Sequence, residues 1–298
     1  MPNFWNKSIS ALFLIWILTT SSIYIPFQEK ETANELSFTV LSFNIRYNNK
    51  GDGVNAWPNR KEKVAALIQF HDVELAGLQE VLIGQMEDMK SLLPGYGWYG
   101  VGRTDGKNKG EFSPVFYLKT RLHLMDSGTF WLSETPDKPS KGWDAALNRI
   151  VSWGKFRDKK TQNVFYLFNT HFDHKGKNAR KQSAFLILQK VKEVAGDNPV
   201  ILSGDFNVET NEPPYQVLTD RSNSLGLFDA KEITNMPFYG PNTTFGGGFD
   251  EACKPGKKID YIFIKNKVEV LRHGVFTDSW EGVCPSDHMS VMAEIYLK

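Results

Sequence analysis

A chain of 298 residues with 41% hydrophobic residues carries enough apolar material for one large α/β domain or two small ones, which excludes a globally disordered protein. Lys and Arg number 35 against 34 Asp and Glu, so the net charge of +1 gives no sign of tight nucleic-acid binding. An enzyme that cuts nucleic acid without holding it stays open.

The first 27 residues read differently from the rest. Lys7 precedes the apolar run Ile9 to Ile17, and small polar residues follow at Thr19 to Ser22, the pattern of a signal peptide. Apolar residues resume at Ile23 to Phe27 without a small-x-small cleavage site. Residues 1–27 are therefore expected to be a signal peptide or an N-terminal membrane anchor, with a membrane tether through residues 9–25 in the second case. Either way the chain is expected to be exported: secreted, periplasmic or at the outer envelope. Residues 28–35 read as a polar linker, and 36–298 as one domain because no further linker interrupts it. The two cysteines, Cys253 and Cys284, lie in Gly/Pro-flanked loops. An oxidising compartment would allow them to pair, and two free thiols are the alternative.

From residue 37 onward strands and helices alternate. Ser37 to Asn44 alternates Phe38, Val40, Ser42 and Asn44 against Thr39, Leu41 and Phe43, which predicts a strand. Asn59 to Phe70 has Val64, Leu67 and Ile68 at helical spacing, with Pro58 suited to its first turn. A strand follows at Val73 to Leu78, then a helix at Ile83 to Leu93 stopped by Pro94-Gly95. Strands are expected near Val115 to Leu118, Leu122 to Ser127, Arg149 to Phe156 and Val164 to His171. Arg180 to Val194 is an amphipathic helix with Ala184, Ile187, Leu188, Val191 and Val194 inward. Val200 to Leu202 suits a strand covered on both faces, and the tail adds Ile259 to Ile264, Val268 to Phe276 and Ser290 to Leu297.

Polar residues interrupt or end these strands in a consistent way. Asn44 ends LSFN, Glu80 ends LAGLQE, His171 ends LFNTH, and Asp205 and Asn207 end ILSGDFN. Asp260 sits in KIDYIFI, and Asp287-His288 opens the last strand. One such residue is explained as a cap or turn former; this many at strand ends point to chemistry.

The segments SFNIR, GLQEV, NTHFDH, SGDFNV, IDYIF and PSDHMSV resemble, in order, those of the endonuclease/exonuclease/phosphatase superfamily, to which deoxyribonuclease I belongs. The resemblance covers about residues 37–298. It implies an α/β fold, a four-layer α/β/β/α sandwich of two mixed β-sheets with outer helices, with a hydrolytic site at one end.

The chemistry also follows from residue types. An anionic phosphate ester repels hydroxide, so its hydrolysis needs positive charge on the non-bridging oxygens and an oriented water. Mg²⁺, or Mn²⁺, is the expected cofactor. Glu80 is a hard oxygen ligand, and Asn44 would add an amide oxygen or hold that ligand in place. Asp205 would orient or deprotonate the water, with Asn207 fixing the carboxylate or a phosphate oxygen. The resemblance implies a phosphate-facing His288 held by Asp260, leaving Asp287 as a further water- or metal-directed carboxylate. His171 stands where part of the superfamily has histidine, and Glu111 in KGEFSPVFYL is similar to its partner in deoxyribonuclease I, so a Glu111–His171 dyad is expected. Arg149 resembles a phosphate-binding arginine, with His171 and Asn207 beside it. Arg46 places a positive charge where apurinic endonucleases have Asp, which favours one metal over two.

Loops between the motifs should set the substrate. Gly128 to Ala145 carries Trp131 and Trp143, either stacking on substrate or packing the loop down, and His174 to Lys181 is basic. The expected activity is an exported Mg²⁺-dependent phosphoesterase or phosphodiesterase acting on a sugar phosphate, lipid headgroup or nucleic acid. The alternatives are a secreted non-specific nuclease and an inactive binding protein on the same fold. No protein partner is predicted.

Overall fold

The alternation in the first strand sets the layers. In the computed structural model, which describes residues 1–2, 33, 35–249, 254 and 256–298, β1 (Phe38–Asn44) buries both of its faces. The expected signal peptide or anchor, nearly all of the linker and Cys253 lie outside the described residues; no free cysteine stands among those described. Phe38 and Val40 pack in one apolar cluster and Leu41 and Phe43 in another, as a strand covered on both sides requires.

The first sheet has the order β11-β12-β1-β2-β4-β3, with β2 Leu75–Gln79, β3 Tyr96–Tyr99, β4 Val115–Leu118, β11 Val268–Phe276 and β12 Ser290–Leu297. The second has the order β5-β6-β7-β8-β10-β9, with β5 Leu122–Trp131, β6 Ile150–Asp158, β7 Val164–His171, β8 Val200–Asp205, β9 Phe228–Asp229 and β10 Asp260–Lys265. The β1–β2 and β7–β8 pairs are parallel and the others antiparallel, so both sheets are mixed.

Three apolar clusters fill three interlayer spaces. Val40, Leu75 and Val115 of the first sheet meet Leu167, Ile201 and Ile262 of the second between the sheets. Leu41 and Phe43 meet Val64, Leu67 and Ile68 of α1 (Lys61–Phe70) and Met86 and Met89 of α2 (Ile83–Leu92). Phe168 and Leu202 meet Ala184, Ile187 and Leu188 of α3 (Lys177–Ala195) and Leu218 of α4 (Pro213–Thr219). The four-layer α/β/β/α order follows.

A polar bolt joins the sheets below one end. Gln79 Nε2 donates to Asn169 Oδ1 at 2.7 Å, and Asn169 Nδ2 donates to the carbonyls of Leu78 and Pro114 at 2.8 and 2.9 Å. Only glycine fits at 77 beside this pair: a Cβ there would lie 2.4 Å from Ser203 Oγ and 2.6 Å from Asn169 Oδ1.

Several elements differ from the sequence expectation, among them the short strand β9. α1 begins at Lys61, and Pro58 sits in a separate 3-10 turn, Trp57–Asn59. β5 runs on through Trp131, so the expected loop at 128–145 starts later. β3 was hidden by the Pro94-Gly95 turn signal before it, and α4 by Pro213-Pro214, which here occupies the first helical positions.

Candidate active site

On the inter-sheet face, each central strand changes from apolar to polar toward the same end. The rows run Val40, Ser42, Asn44; Leu75, Gly77, Gln79; Leu167, Asn169, His171; and Ile201, Ser203, Asp205, with Asp260 at the matching end of antiparallel β10. Register aligns them: Asn44 pairs with Gln79, while His171 pairs with Asp205 and Asp205 with Asp260. Paired residues share a face, so the second sheet presents His171, Asp205 and Asp260 side by side.

Just past three of these strand ends the backbone turns sharply. Arg46, Glu80 and Asn207 all adopt left-handed conformations, with φ of 57°, 61° and 50°, unusual for non-glycine residues and frequent at functional sites. The turn after β2 brings the Glu80 carboxylate back over the site. Its Oε1 accepts from Asn44 Nδ2 at 3.1 Å and its Oε2 from the Tyr47 amide at 3.1 Å. The same Asn44 nitrogen donates to Asp205 Oδ2 at 3.0 Å, so one amide holds both carboxylates in one pocket. Asn44 Oδ1 accepts from the Arg46 amide at 3.0 Å. Of the two roles expected for Asn44, the geometry matches holding the ligand.

Asp205 is fixed on its other oxygen by the Asn207 amide at 3.0 Å. Burial, with Asp260 adding repulsion, raises its carboxyl above the usual range against the pull of His288, Asn44 and Asn207. His288 Nδ1 lies 2.9 Å from Asp260 Oδ2, and its Nε2 lies 3.8 Å from Asp205 Oδ2. Burial works against the charged ring, but Asp260, Asp205 and Asp287 outweigh it and hold His288 up at about 10. The Phe245 ring covers the imidazole at 4.6 Å. Asp287 is buried beside it and raised, chiefly by burial, with Glu80 adding and His288 opposing.

His171 sits 3.4 Å from Asp205 Oδ2 through its Nε2. That nitrogen faces Asn207 Nδ2 at 3.1 Å, which also donates to the Phe172 carbonyl at 3.1 Å. An amide NH₂ can only donate, so Nε2 accepts, the ring proton sits on Nδ1, and Nδ1 has no partner among the described residues. Burial first, then Arg149 and Arg103, push His171 well below the usual histidine range, so the ring is neutral.

The expected Glu111–His171 dyad is not formed. Glu111 instead makes a two-pronged pair with Arg103, at 2.6 and 2.8 Å. A guanidinium fork matches a carboxylate better than a single imidazole does, and Arg103 takes both Glu111 oxygens. Arg149 is buried at the rim. Its Nε reaches Asp173 at 3.5 Å, Nη2 donates to His174 Nδ1 at 3.1 Å, and Nη1 is left without a partner among the described residues. An unpaired buried donor of this kind suits a phosphate oxygen.

Sequence reading missed Arg103, Asp173, His174 and Arg60. Asp173 and His174 lie inside the quoted NTHFDH segment and were legible there; Arg103 and Arg60 carry no local signal. Trp131 is not a stacking platform: it is buried, and its Nε1 donates to the Arg103 carbonyl at 2.8 Å. Of the basic stretch 174–181, Arg180 is buried and donates to the Asp173 carbonyl at 3.0 Å, while Lys175, Lys177 and Lys181 are exposed. The Arg46 guanidinium is tied to Asp52 by two contacts of 3.1 Å.

Asp205, Asp260 and His288 each place one ligand atom within 4.8 Å of the others, a grouping that could hold a metal ion.

Comparison with known proteins agrees with this picture. The profile of the "Endonuclease/Exonuclease/phosphatase family" matches residues 41–288. A Bacteroides vulgatus endonuclease/exonuclease/phosphatase structure is 39% identical with a TM-score of 0.83, covering 88% of this chain and 99% of that one. A Bacteroides thetaiotaomicron mannosyl-6-phosphatase is 42% identical with a TM-score of 0.82, covering 88% of this chain and 100% of its own. An uncharacterized protein of Acanthamoeba polyphaga mimivirus is 28% identical over 220 residues, 70% of this chain and 82% of that protein. Of two longer curated relatives the chain spans less than half the length.

Proposed function

The chain belongs to the endonuclease/exonuclease/phosphatase family, and from that membership we propose that it is a Mg²⁺-dependent phosphoesterase acting on a sugar phosphate. The observation that carries this reading is the Asn44 amide, which donates to Glu80 and to Asp205 at once while Asp260 holds His288 opposite. One amide thus holds Glu80 and Asp205, while Asp260 and Asp287 flank the buried, charged His288. A binding module has no physical need of both a carboxylate nest and a charged histidine.

The donor set fits a hard divalent cation. Glu80, Asp205, Asp260 and Asp287 gather at the site, Asp260 Oδ1 is buried without a hydrogen-bond partner among the described residues, and burial with carboxylate repulsion disfavours ionisation of Asp205 and Asp287. Such an excess of carboxylate is what a cation relieves. Glu80 would hold it, with Asn44 and the Tyr47 amide fixing the carboxylate. When bound, the ion supplies positive charge to the phosphate oxygens.

The chain's own groups then have definite tasks. Asp205, its carboxyl raised toward neutrality, orients the attacking water and accepts its proton. The bond from water oxygen to phosphorus forms as the bond to the leaving oxygen breaks. His288, kept cationic by Asp260, donates to a non-bridging oxygen, and Arg149 Nη1 and the His171 Nδ1–H offer further donors.

Sugar phosphate is favoured over polynucleotide by the 42% identity to a mannosyl-6-phosphatase and by the net charge of +1. The test is phosphate release from mannose 6-phosphate, beside hydrolysis of bis-p-nitrophenyl phosphate, a phosphatidyl lipid, plasmid DNA and RNA, with Mg²⁺ and with chelator. Glu80→Gln and His288→Ala should each lose turnover; wild-type turnover in both variants, or full activity in chelator, overturns the reading. Faster cleavage of nucleic acid or lipid would keep the chemistry and replace the substrate. Export, proposed from the apolar run at residues 9–17, is checked by fractionating cells that express the full chain.

A further inference from the structure

The ladder between β1 and β12 runs from Phe38–Ile295 to Ser42–Val291 and stops there. Asn44 lies beyond the last rung on one strand and Asp287 and His288 beyond it on the other, so strand pairing does not set the spacing of these side chains. Two side chains bridge the gap instead. Ser286 Oγ donates to the Asn44 carbonyl at 2.6 Å. Arg60 Nη1 donates both to the Ile45 carbonyl at 2.8 Å and to the Pro285 carbonyl at 2.7 Å.

Arg60 is 0% exposed, and its other donors also reach main chain, Nη2 to Arg46 O at 3.3 Å and Nε to Asn55 O. Among the described residues no hydrogen bond or ion pair joins it to a carboxylate; nearby Asp52 is spent on Arg46. The ring of Phe249, 5.0 Å away, covers it. Burying a guanidinium with no carboxylate in direct contact is costly even with Asp287, Asp52 and Glu80 attracting it from further away, and a structural filler here would be apolar. A planar fork with five donors spread over three nitrogens can pin carbonyls of three segments at once; a lysine, whose three donors radiate from a single nitrogen, cannot reach all of them.

We propose that Arg60 is a positioning residue: its fork fixes the 45–46 turn against the 285–288 turn and so sets Asn44 at working distance from Asp287 and His288. This rests on the phosphoesterase reading for its kinetic consequences but not for its structural ones, and the test separates the two. Arg60→Lys, Arg60→Met, Ser286→Ala and the Lys/Ala double variant are compared with wild type by hydrogen exchange and by turnover of whichever substrate the wild type cleaves. In Arg60→Lys, amide exchange in 44–47 and 285–288 should quicken by about tenfold or more while β10 stays protected. kcat should fall about 100-fold with KM within about threefold, as expected for misplacement on the order of 1 Å. The double variant should lose less than the product of the single losses, because both side chains span one gap. Unchanged exchange in both turns, or a KM effect with kcat preserved, overturns the proposal even if Arg60→Met fails to fold. A wild type that cleaves nothing sinks the phosphoesterase reading alone, and the exchange result still decides this one.

Discussion

The two ends of the sandwich are built on opposite principles. At the end where β1 and β2 begin, Arg121 grips Asp158 through Nε and Nη2 at 2.8 and 2.9 Å and also holds the Leu36 carbonyl, while Glu74 caps the Thr39 amide. Asp158 further accepts from the Lys160 amide and Thr161 Oγ1. Burial works against its charge, yet these partners hold its carboxyl below the usual range. At the end where β1 and β2 finish, Asp205 and Asp287 are raised, and Asp260 Oδ1, His171 Nδ1 and Arg149 Nη1 lack partners among the described residues. One end pairs its polar groups within the chain, although burial still raises Glu74; the other leaves several without a partner among the described residues. Stability and reactivity are thus segregated along the strands.

The sharpest way to break the contrast is at Asp205. Asp205→Asn should lower kcat about 10³-fold or more, since it removes the proton acceptor, yet raise Tm in chelator because a repelled buried carboxylate is gone. The sign follows from its raised folded-state value: at neutral pH the ionised form costs stability, and the cost fades as pH falls through that value. Asp158, depressed, behaves oppositely, its contribution being present above the unfolded value and lost as pH falls through the folded one. Acidifying chelated protein from neutrality should relax the active end before it loosens the other. A Tm for Asp205→Asn below that of wild type would count against the distinction.

Next is the His288 clamp. Asp260→Asn should cost about 10²-fold in kcat and move the alkaline limb of the pH–rate profile down from near 10, because the imidazolium loses its main support. An alkaline limb that stays in place would mean that His288 does not act as the cation.

At the satisfied end, Arg121→Met should destabilise by about 3 kcal/mol, leaving Asp158 buried without its counter-ion, while folded protein keeps its kcat. Urea unfolding and turnover measured on the same preparation check both halves. Loss of activity without loss of stability would mean that the two ends are coupled.

Much of this division was legible in the sequence. Inward rows such as Val40, Ser42, Asn44 and Ile201, Ser203, Asp205 show the period of two and the change of polarity at the strand end, so the strands and the polar residues at their ends could be read, while the sandwich was implied by the motifs' resemblance to the superfamily. Arg60 and Arg103 could not. Each works through main-chain carbonyls or a partner in a loop, and nothing in local spacing distinguishes such an arginine from an exposed one. Gln79 was equally opaque, since only the facing sheet reveals its partner Asn169.

The smallest effect tests the one misassigned pair. Were Glu111 the support of His171, Glu111→Gln would shift the imidazole's titration and reduce turnover as strongly as the loss of Asp260 does for His288. With Glu111 committed to Arg103 and His171 Nε2 to Asn207, the same substitution should leave kcat within about threefold and the His171 ring proton on Nδ1. Nitrogen chemical shifts of labelled His171 report that tautomer directly, and Asn207→Ala should disturb them where Glu111→Gln does not. A tautomer change in Glu111→Gln would restore the dyad and make Arg103 the accessory, reversing which charges at the rim belong to the substrate.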